Sequence, residues 1–457
     1  MAEVHREKKA KPGIASAQQD SWTLSGPGPS MKFFLSSSDT WFRVARWAIR
    51  LAVLIGVVGL LFSKASRDPR LATLPAGLSP SIVLCGWIAA GTFSAIGWLA
   101  LGIACVAAFR LRWFCRWMCP LGTCNELSTL LGKRVGLPSP SVPHLGHYLI
   151  FATLGGAMMG FPILLWLDPL ALFSSLGQPL PLQSLPFLVG ISGLVLAMGV
   201  SFLLPGTWCL RICPLGALQE VLFVFRRGII RTLVRLFRVG QASPSREMPR
   251  FDGPELSELL RISRRGVIGV VGAIAWTYLA RPSALSKTLP LRPPGAWPDE
   301  RRFLALCVRC GNCMRVCPTG IIRPQQSTDG VAMWLTPRLV FTDDFCEPSC
   351  NRCAEVCPSG ALTPFSKAEK PHVVIGKAVV ELDECLLTVD RECGICRSHC
   401  PYEAIRLQFN EETYSVQPVV DFARCPGCGA CEAVCPTTPR KAIHVEPMEA
   451  LDKKRQG

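Results

Sequence analysis

The sequence predicts an α-helical membrane domain, made of two repeated helical hairpins (about four spans) plus a fifth span, followed by an α+β domain of repeated cysteine-rich modules. Three observations carry this reading. Of 457 residues, 49% are apolar and only 18% charged, where about a quarter is usual. Of 23 cysteines, 16 fall between Cys307 and Cys435. The formal charge of +16 lies wholly before residue 282, since 21 Lys and Arg face 21 Asp and Glu from there on. A basic excess confined to an apolar half points to membrane topology, not to nucleic acid. Disorder of the whole chain, a collagen-like fibre and a small secreted disulfide scaffold are excluded.

Residues 1–43 form a basic tail predicted to be disordered and cytoplasmic. The membrane domain, 44–240, holds apolar segments at about 44–62, 82–109, 145–166 and 183–205, each long enough to cross ~30 Å of hydrocarbon as one helix. Lys and Arg crowd the tail, the 110–144 loop and the stretch after 206, and are absent from 167–183; these three stretches are expected on the cytoplasmic side, against the 63–81 loop, which carries Lys64, Arg67 and Arg70. Residues 241–281 link onward and contain Ser263-Arg264-Arg265 before the short apolar run Gly266–Ala280. A twin arginine before a weakly apolar core fits a Tat export signal, retained as the fifth span. A Pro-rich linker, 282–300, leads to the soluble domain, 301–457.

That domain holds four cysteine groups: Cys307, Cys310, Cys313 and Cys317; Cys346, Cys350, Cys353 and Cys357; Cys385, Cys393, Cys396 and Cys400; and Cys425, Cys428, Cys431 and Cys435. Each ends in Cys-Pro. This is the bacterial ferredoxin run, in which three thiolates wrap one 4Fe–4S cluster and the fourth ligates a partner cluster. Two-residue gaps keep three sulfurs on one tight loop, and the proline opens a helix that carries the chain to the next site. Sixteen thiolates correspond to four clusters. Zinc, which favours paired Cys-x2–4-Cys knuckles, and a disulfide framework fit the pattern less well. Groups two and three carry inserts, Glu347–Ser349 and Leu386–Glu392, expected to bulge outward.

The membrane half has its own repeat. Cys115-x3-Cys119-Pro120-Leu121-Gly122-x3-Glu126 recurs 94 residues later as Cys209-x3-Cys213-Pro214-Leu215-Gly216-x3-Glu220. A parallel repeat implies a pseudo-twofold axis, which would gather Cys115, Cys119, Cys209 and Cys213 into one site at the cytoplasmic side. A further 4Fe–4S cluster is the leading reading; a thiol/disulfide role, zinc, two clusters or structural cysteines are the alternatives. Cys124 has no counterpart, and Cys85 and Cys105 read as small buried residues. The amphipathic stretch Pro214–Val239 is expected on the lipid surface. His144, His147 and Asp168 suggest a proton path or quinone site, against the plainer reading of interfacial loop residues. Neither a dinucleotide loop nor a P-loop is present, so the exchange partner is a protein or a lipid-soluble carrier.

On the four spans, the two Cys-x3-Cys-Pro motifs and Asp168-Pro169, the first half resembles the NapH type of membrane ferredoxin-like protein. On the twin arginine, the short apolar run and the four cluster motifs, the second half resembles the NapG/MauM type. In that family the two are usually separate chains; here they look fused. The resemblance implies an electron-transfer protein of the bacterial inner membrane, multi-pass, with its ferredoxin domain on the periplasmic side. It implies quinol dehydrogenase activity, with electrons passing from the quinone pool through four 4Fe–4S clusters to a periplasmic cytochrome c or reductase. It also implies pairing of groups one with four and two with three, while one-with-two stays open. A maturation or scaffold subunit for a metalloenzyme and a cytoplasm-facing ferredoxin:quinone module are the alternative functions.

Overall fold

The computed structural model describes residues 38–138, 143–162, 164–178, 191–238, 264–272, 274–275, 289–325, 333–389, 391–411 and 414–451. Packing divides the chain into two units that meet inside its first helix, Met1–Ile49 and Arg50–Gly457. The described part of the first unit is the opening half of helix Ser38–Phe62, where Trp41 and Phe42 are exposed. Apart from the start of that helix, everything below lies in the second unit.

Among the described residues, one helix, Trp41–Phe62, is long and apolar enough to cross a membrane by length and composition. The other segments expected to span form shorter helices. Segment 82–109 is two helices, Pro80–Ala90 and Gly97–Phe109. Gly91 ends the first in the left-handed conformation, φ 68°, which glycine adopts without strain. Segment 145–166 gives Leu145–Met158. Segment 183–205 gives Ser192–Leu203, with 183–190 outside the described residues. Helices of 11–14 residues reach only ~16–21 Å. Their outer faces are nonetheless apolar, with Trp87, Trp98, Leu99, Met158 and Leu196 exposed. Cys105, expected to be buried, is exposed on one of these faces, whereas Cys85 is buried. Of the fifth apolar run, 264–272 is helical, while Ser263 and 276–280 lie outside the described residues.

The two motif copies pack reciprocally. The helix after the first motif, Pro120–Arg134, lies on Ser192–Leu203, and the helix after the second, Pro214–Arg238, lies on Gly97–Phe109. Each begins with proline at its first position, where the missing N–H costs nothing. The equivalent glutamates are each paired with an arginine, though not at equivalent positions: Arg50 pairs with Glu126 and donates to the Gly122 carbonyl at 3.0 Å, and Arg112 pairs with Glu220 at 2.8 Å. The start of Pro214–Arg238 is buried at Leu215, Ala217, Leu218 and Gln219, and only later do Phe225, Ile229 and Leu233 emerge. So the helix expected on the lipid surface is half core.

A close approach between the copies makes a stability test. A Cβ at Gly132 would run into the Phe202 carbonyl, whereas one at Gly102 would meet nothing within 4 Å. Gly132→Ala is expected to destabilise by about 1–3 kcal/mol through overpacking. Gly102→Ala should be neutral or stabilise by about 0.5–1 kcal/mol through helix propensity. Thermal unfolding of the two variants in detergent checks this.

From residue 289 the chain forms small α+β modules with three two-stranded antiparallel sheets. β1 (Ile322–Pro324) pairs with β2 (Pro337–Leu339), β3 (Lys377–Val380) with β6 (Ile443–Glu446), and β4 (Ile405–Asn410) with β5 (Ser415–Val420). Residues 289–300, expected to be linker, are folded in. Arg292 is buried, pairs with Glu300 and donates to the Pro337 carbonyl at 2.7 Å.

This domain docks onto the apolar half through backbone contacts on segments 72–92 and 157–178, which include helices Pro80–Ala90 and Pro169–Ser174. Gly86 lies so close to Ser359 that a Cβ would stand 2.9 Å from its carbonyl oxygen. Arg302 donates to the Ala89 carbonyl at 2.6 Å, Arg315 to the Ser174 carbonyl at 2.9 Å and Gln178 to the Arg309 carbonyl at 3.4 Å. Ile82, Ala89, Ala157, Phe303 and Cys307 belong to one buried cluster that crosses the junction.

Candidate cofactor sites

The sixteen soluble-domain cysteines converge in tetrads, each drawn from two neighbouring groups. Cys307, Cys310 and Cys313 line a cavity of about 400 Å³ with Cys357 (site A). Cys346, Cys350 and Cys353 line one of about 340 Å³ with Cys317 (site B). Cys425, Cys428 and Cys431 line one of about 310 Å³ with Cys400 (site C). The remaining four, Cys385, Cys393, Cys396 and Cys435, are assigned to site D by elimination; Cys396 lies within electrostatic reach of Cys385 and Cys393, and Cys385, Cys396 and Cys435 share one cluster. Groups therefore pair one with two and three with four. The one-with-four pairing implied by the family resemblance is corrected. Each module closes on the next stretch of chain, so the fourth cysteine reaches the adjacent loop and not a distant one.

Glycine makes the tight loops possible. Gly311 and Gly429 sit at φ 75° and 84° just before the short helices Asn312–Val316 and Ala430–Val434, which carry Cys313 and Cys431. The inserts point outward, with Glu347 and Ser349 exposed; Asp390, in the second, lies outside the described residues.

The chemistry of these donors fits an iron–sulfur group. All 23 cysteines are free thiols. The cavity walls are apolar, and backbone N–H groups aim at sulfur, as from Leu362 to Cys357 at 3.4 Å and from Ala404 to Cys400 at 3.3 Å. Burial pushes the Cys310 and Cys428 thiols up to about 12, so their thiolates need a cationic centre to form.

The four sites form a row. Site A abuts the apolar half, because its Asn312 bonds to Ser174 at 3.4 Å. Site B meets site C where the Cys346 N–H donates to the Cys428 carbonyl at 2.9 Å, with Tyr402 beside Cys346, Cys400 and Cys428. Around site D, Glu381, Asp383, Glu384 and Glu392 are exposed.

Lys370, only 2% exposed, donates from Nζ to Cys346 Sγ at 3.1 Å. A buried ammonium on a ligand sulfur favours the reduced, more negative state of whatever that sulfur binds. Lys370→Met is expected to lower one midpoint potential in a potentiometric EPR titration, and Lys370→Arg to shift it less. Unchanged potentials in both variants would contradict the assignment. Nothing in the spacing of the motifs marks this residue.

The membrane-half cysteines also meet. Cys119 and Cys213 are buried in one cluster with Leu170, Leu172 and Phe173, and Cys209 packs on it; Cys119 lies within electrostatic reach of Cys115, Cys209 and Cys213. Each copy supports the other: Asn125 Nδ2 donates to Cys209 Sγ at 3.6 Å, and Gln219 Nε2 to Cys115 Sγ at 3.1 Å. Within each copy, Gly122 and Gly216 N–H groups donate to Cys119 and Cys213 at 3.3 and 3.4 Å. Asn125 and Gln219 stand 94 residues apart, the offset of the motif itself. Burial pushes the Cys115 thiol up to about 12. The tetrad, expected to gather at one site, lies in the interior of the apolar half. The short helix Pro169–Ser174 packs on it through Leu170 and Phe173 and touches site A through Ser174. Cys124 is half-buried at the edge of the cluster.

Asp168 is not an interfacial loop residue. It is 1% exposed, caps Pro169–Ser174 by accepting from the Leu170 N–H at 2.9 Å, and accepts from Ser79 at 2.6 Å and from Ser81. His147 lies 3.2 Å from Glu220, and His144 contacts Arg211. Burial opposes charge on Glu220, but the His147 ring and the Arg112 guanidinium outweigh it and hold the carboxyl down at about 2. Burial and Arg211 lower His144 to about 4. His144, His147 and Glu220 bring ligand atoms within 4.8 Å of one another. Two arginines already occupy that cluster, which works against a dication there.

Paired cysteine tetrads in small α+β modules define an iron–sulfur electron-transfer protein. The family described as a 4Fe-4S dicluster domain matches residues 306–361 and 391–438, which groups the motifs as the cavities do. A second, described as a 4Fe-4S binding domain, matches 91–138 and 186–232, one match around each Cys-x3-Cys-Pro motif. The methylamine utilization ferredoxin-type protein MauM of Methylobacillus flagellatus is 35% identical over 198 residues, 41% of this chain and 82% of the relative. MauM of Methylorubrum extorquens is 33% identical over 44% of this chain and 93% of the relative. The ferredoxin-type protein NapG of Escherichia coli is 33% identical over 40% of this chain and 84% of the relative. No solved structure matches the chain. The chain belongs to the MauM- and NapG-like family of ferredoxin-type proteins.

Proposed function

We propose that this chain is a quinol dehydrogenase: a NapH-type membrane part fused to a NapG/MauM-type part, taking electrons from the quinone pool and delivering them to a periplasmic cytochrome c or reductase. The supporting observation is the unbroken packing from the membrane-half tetrad, across helix Pro169–Ser174, to Asn312 and Arg315 beside site A. Sites A to D would hold four 4Fe–4S groups through the sixteen cysteines of the soluble domain. Cys115, Cys119, Cys209 and Cys213 would hold a fifth, a reading favoured by the family match around each motif and by ligand softness. When bound, such groups exchange single electrons at potentials set by charge, hydrogen bonds and burial. The chain's own residues hold the sites in a row, exclude water with apolar walls, and leave site D beside a charged surface, with Glu381, Asp383, Glu384, Glu392, Arg391 and Arg397 exposed, where a protein acceptor can dock.

The membrane part is read as multi-pass in a bacterial inner membrane, with the apolar helices of 11–14 residues and their connecting turns covering the hydrocarbon depth together. The soluble domain packs on segments 72–92 and 157–178, the second overlapping the stretch free of Lys and Arg, which suits the periplasmic side. Two measurements test this. A membrane-impermeant maleimide added to intact cells should reach single cysteines introduced at exposed positions of 377–451; protection until lysis would favour the cytoplasm-facing module. Deletion of the gene should stop electron flow to an acceptor enzyme that is still fully metallated. An acceptor lacking its metal would favour the maturation role.

A further inference from the structure

Resting on the quinol dehydrogenase reading, we propose where the quinol binds. A cleft of about 880 Å³, including its open mouth, lies at the junction of the apolar half and the soluble domain. Ile88, Met158, Met159 and Phe161 line one side, and Trp297 and Arg302 the other. Its water-accessible volume, about 520 Å³, falls within the usual range for small-molecule sites, ~300–1,000 Å³, and its lining mixes these apolar side chains with Asp299 and Arg302.

The occupant is argued from three features. The cleft continues into exposed apolar surface, since Trp87, Ile88, Met158 and Met159 are all exposed; an isoprenoid tail could leave along it without crossing water. At the other end, the Arg302 guanidinium stacks on the Trp297 ring at 3.7 Å and donates from one nitrogen to the Ala89 carbonyl. Its Nε is buried and has no hydrogen-bond partner among the described residues, a costly state for a charged donor. The guanidinium lines the cleft and uses one N–H on Ala89, which leaves further N–H groups to donate to an oxygen of a quinol ring. Finally, Arg302 lies on the helix Glu300–Leu306, whose next residue is Cys307 of site A. Phe303 on that helix shares a buried cluster with Ala89, Ala157 and Cys307. The head-group end of the cleft is therefore the end nearest a cysteine tetrad.

The site is tested on the full-length protein in lipid nanodiscs. Binding of decylubiquinone and of a short-chain menaquinone is titrated for wild type, Met159→Trp, which fills the cleft, and Arg302→Met, which removes the donor. Iron content and dithionite-reduced EPR spectra establish that each variant is folded and loaded. At least tenfold weaker binding is expected in both variants. An azidoquinone is expected to label peptides containing 157–161 or 297–302. Wild-type-like affinity in both variants, or labelling elsewhere such as near His144 and Glu220, would overturn the site while leaving quinol oxidation intact. Loss of a bound phospholipid from the variants, with quinone binding unchanged, would likewise overturn it. Failure of wild type to bind either quinone would overturn the site and the functional reading together.

Discussion

Cys357→Ala is expected to break site A and leave site B intact, although Cys357 belongs to the second group in the sequence. The cavity lined by Cys307, Cys310 and Cys313 is completed by Cys357, and the one lined by Cys346, Cys350 and Cys353 by Cys317. A cluster deprived of one thiolate is degraded or lost, so iron falls by up to about four atoms per chain. Alkylation of the native protein followed by mass spectrometry locates the damage. Cys307, Cys310 and Cys313 should become reactive in Cys357→Ala, and Cys346, Cys350 and Cys353 in Cys317→Ala. Under a pairing of groups two and three, Cys357→Ala would expose Cys385, Cys393 and Cys396 instead. That result would refute the row of sites described above.

Under the proposed function, Arg315→Ala should separate reduction by dithionite from reduction by quinol. The guanidinium is 6% exposed. It donates to the Ser174 carbonyl at 2.9 Å, to Ser174 Oγ at 3.2 Å and to the Ala72 carbonyl at 3.4 Å, so one side chain ties site A to two segments of the apolar half. Truncation leaves those buried carbonyls without a donor, at ~1–3 kcal/mol each, and opens a void where the side chain stood. The soluble domain keeps its own core, so dithionite should still reduce the clusters of sites A to D. Reduction by quinol should slow at least tenfold. Arg315→Lys, which keeps the charge but loses the planar fork, should fall between the two. Equal quinol rates in wild type and Arg315→Ala would show that this contact does not carry the coupling.

Much of this architecture was legible in the residues. The four cysteine groups and the 94-residue repeat needed only spacing, because three ligands of each site lie on one short loop. The fourth ligand was not legible, since its partner depends on which module folds next to which. Resemblance to other four-cluster subunits pointed to the wrong pairing. The repeat register also held Asn125 and Gln219, which donate to Cys209 and Cys115; an amide in a helix carries no mark of its target. Lys370 reaches Cys346 across 24 positions, a distance that no motif records. Asp168 read as an interfacial residue because its partners Ser79 and Ser81 stand almost ninety residues away. Span lengths misled for a simpler reason: hydropathy runs on through 91–96, but Gly91 turns the backbone.

Central to the proposed function is that quinol feeds electrons into the chain. The most direct test adds ubiquinol or menaquinol analogues to purified, oxidised protein in lipid under anaerobic conditions, and follows the visible bleach and the EPR signals of reduced clusters. Rapid reduction by at least one quinol, blocked by a quinone-site inhibitor, is the expected result. Clusters that dithionite reduces but neither quinol does would contradict it.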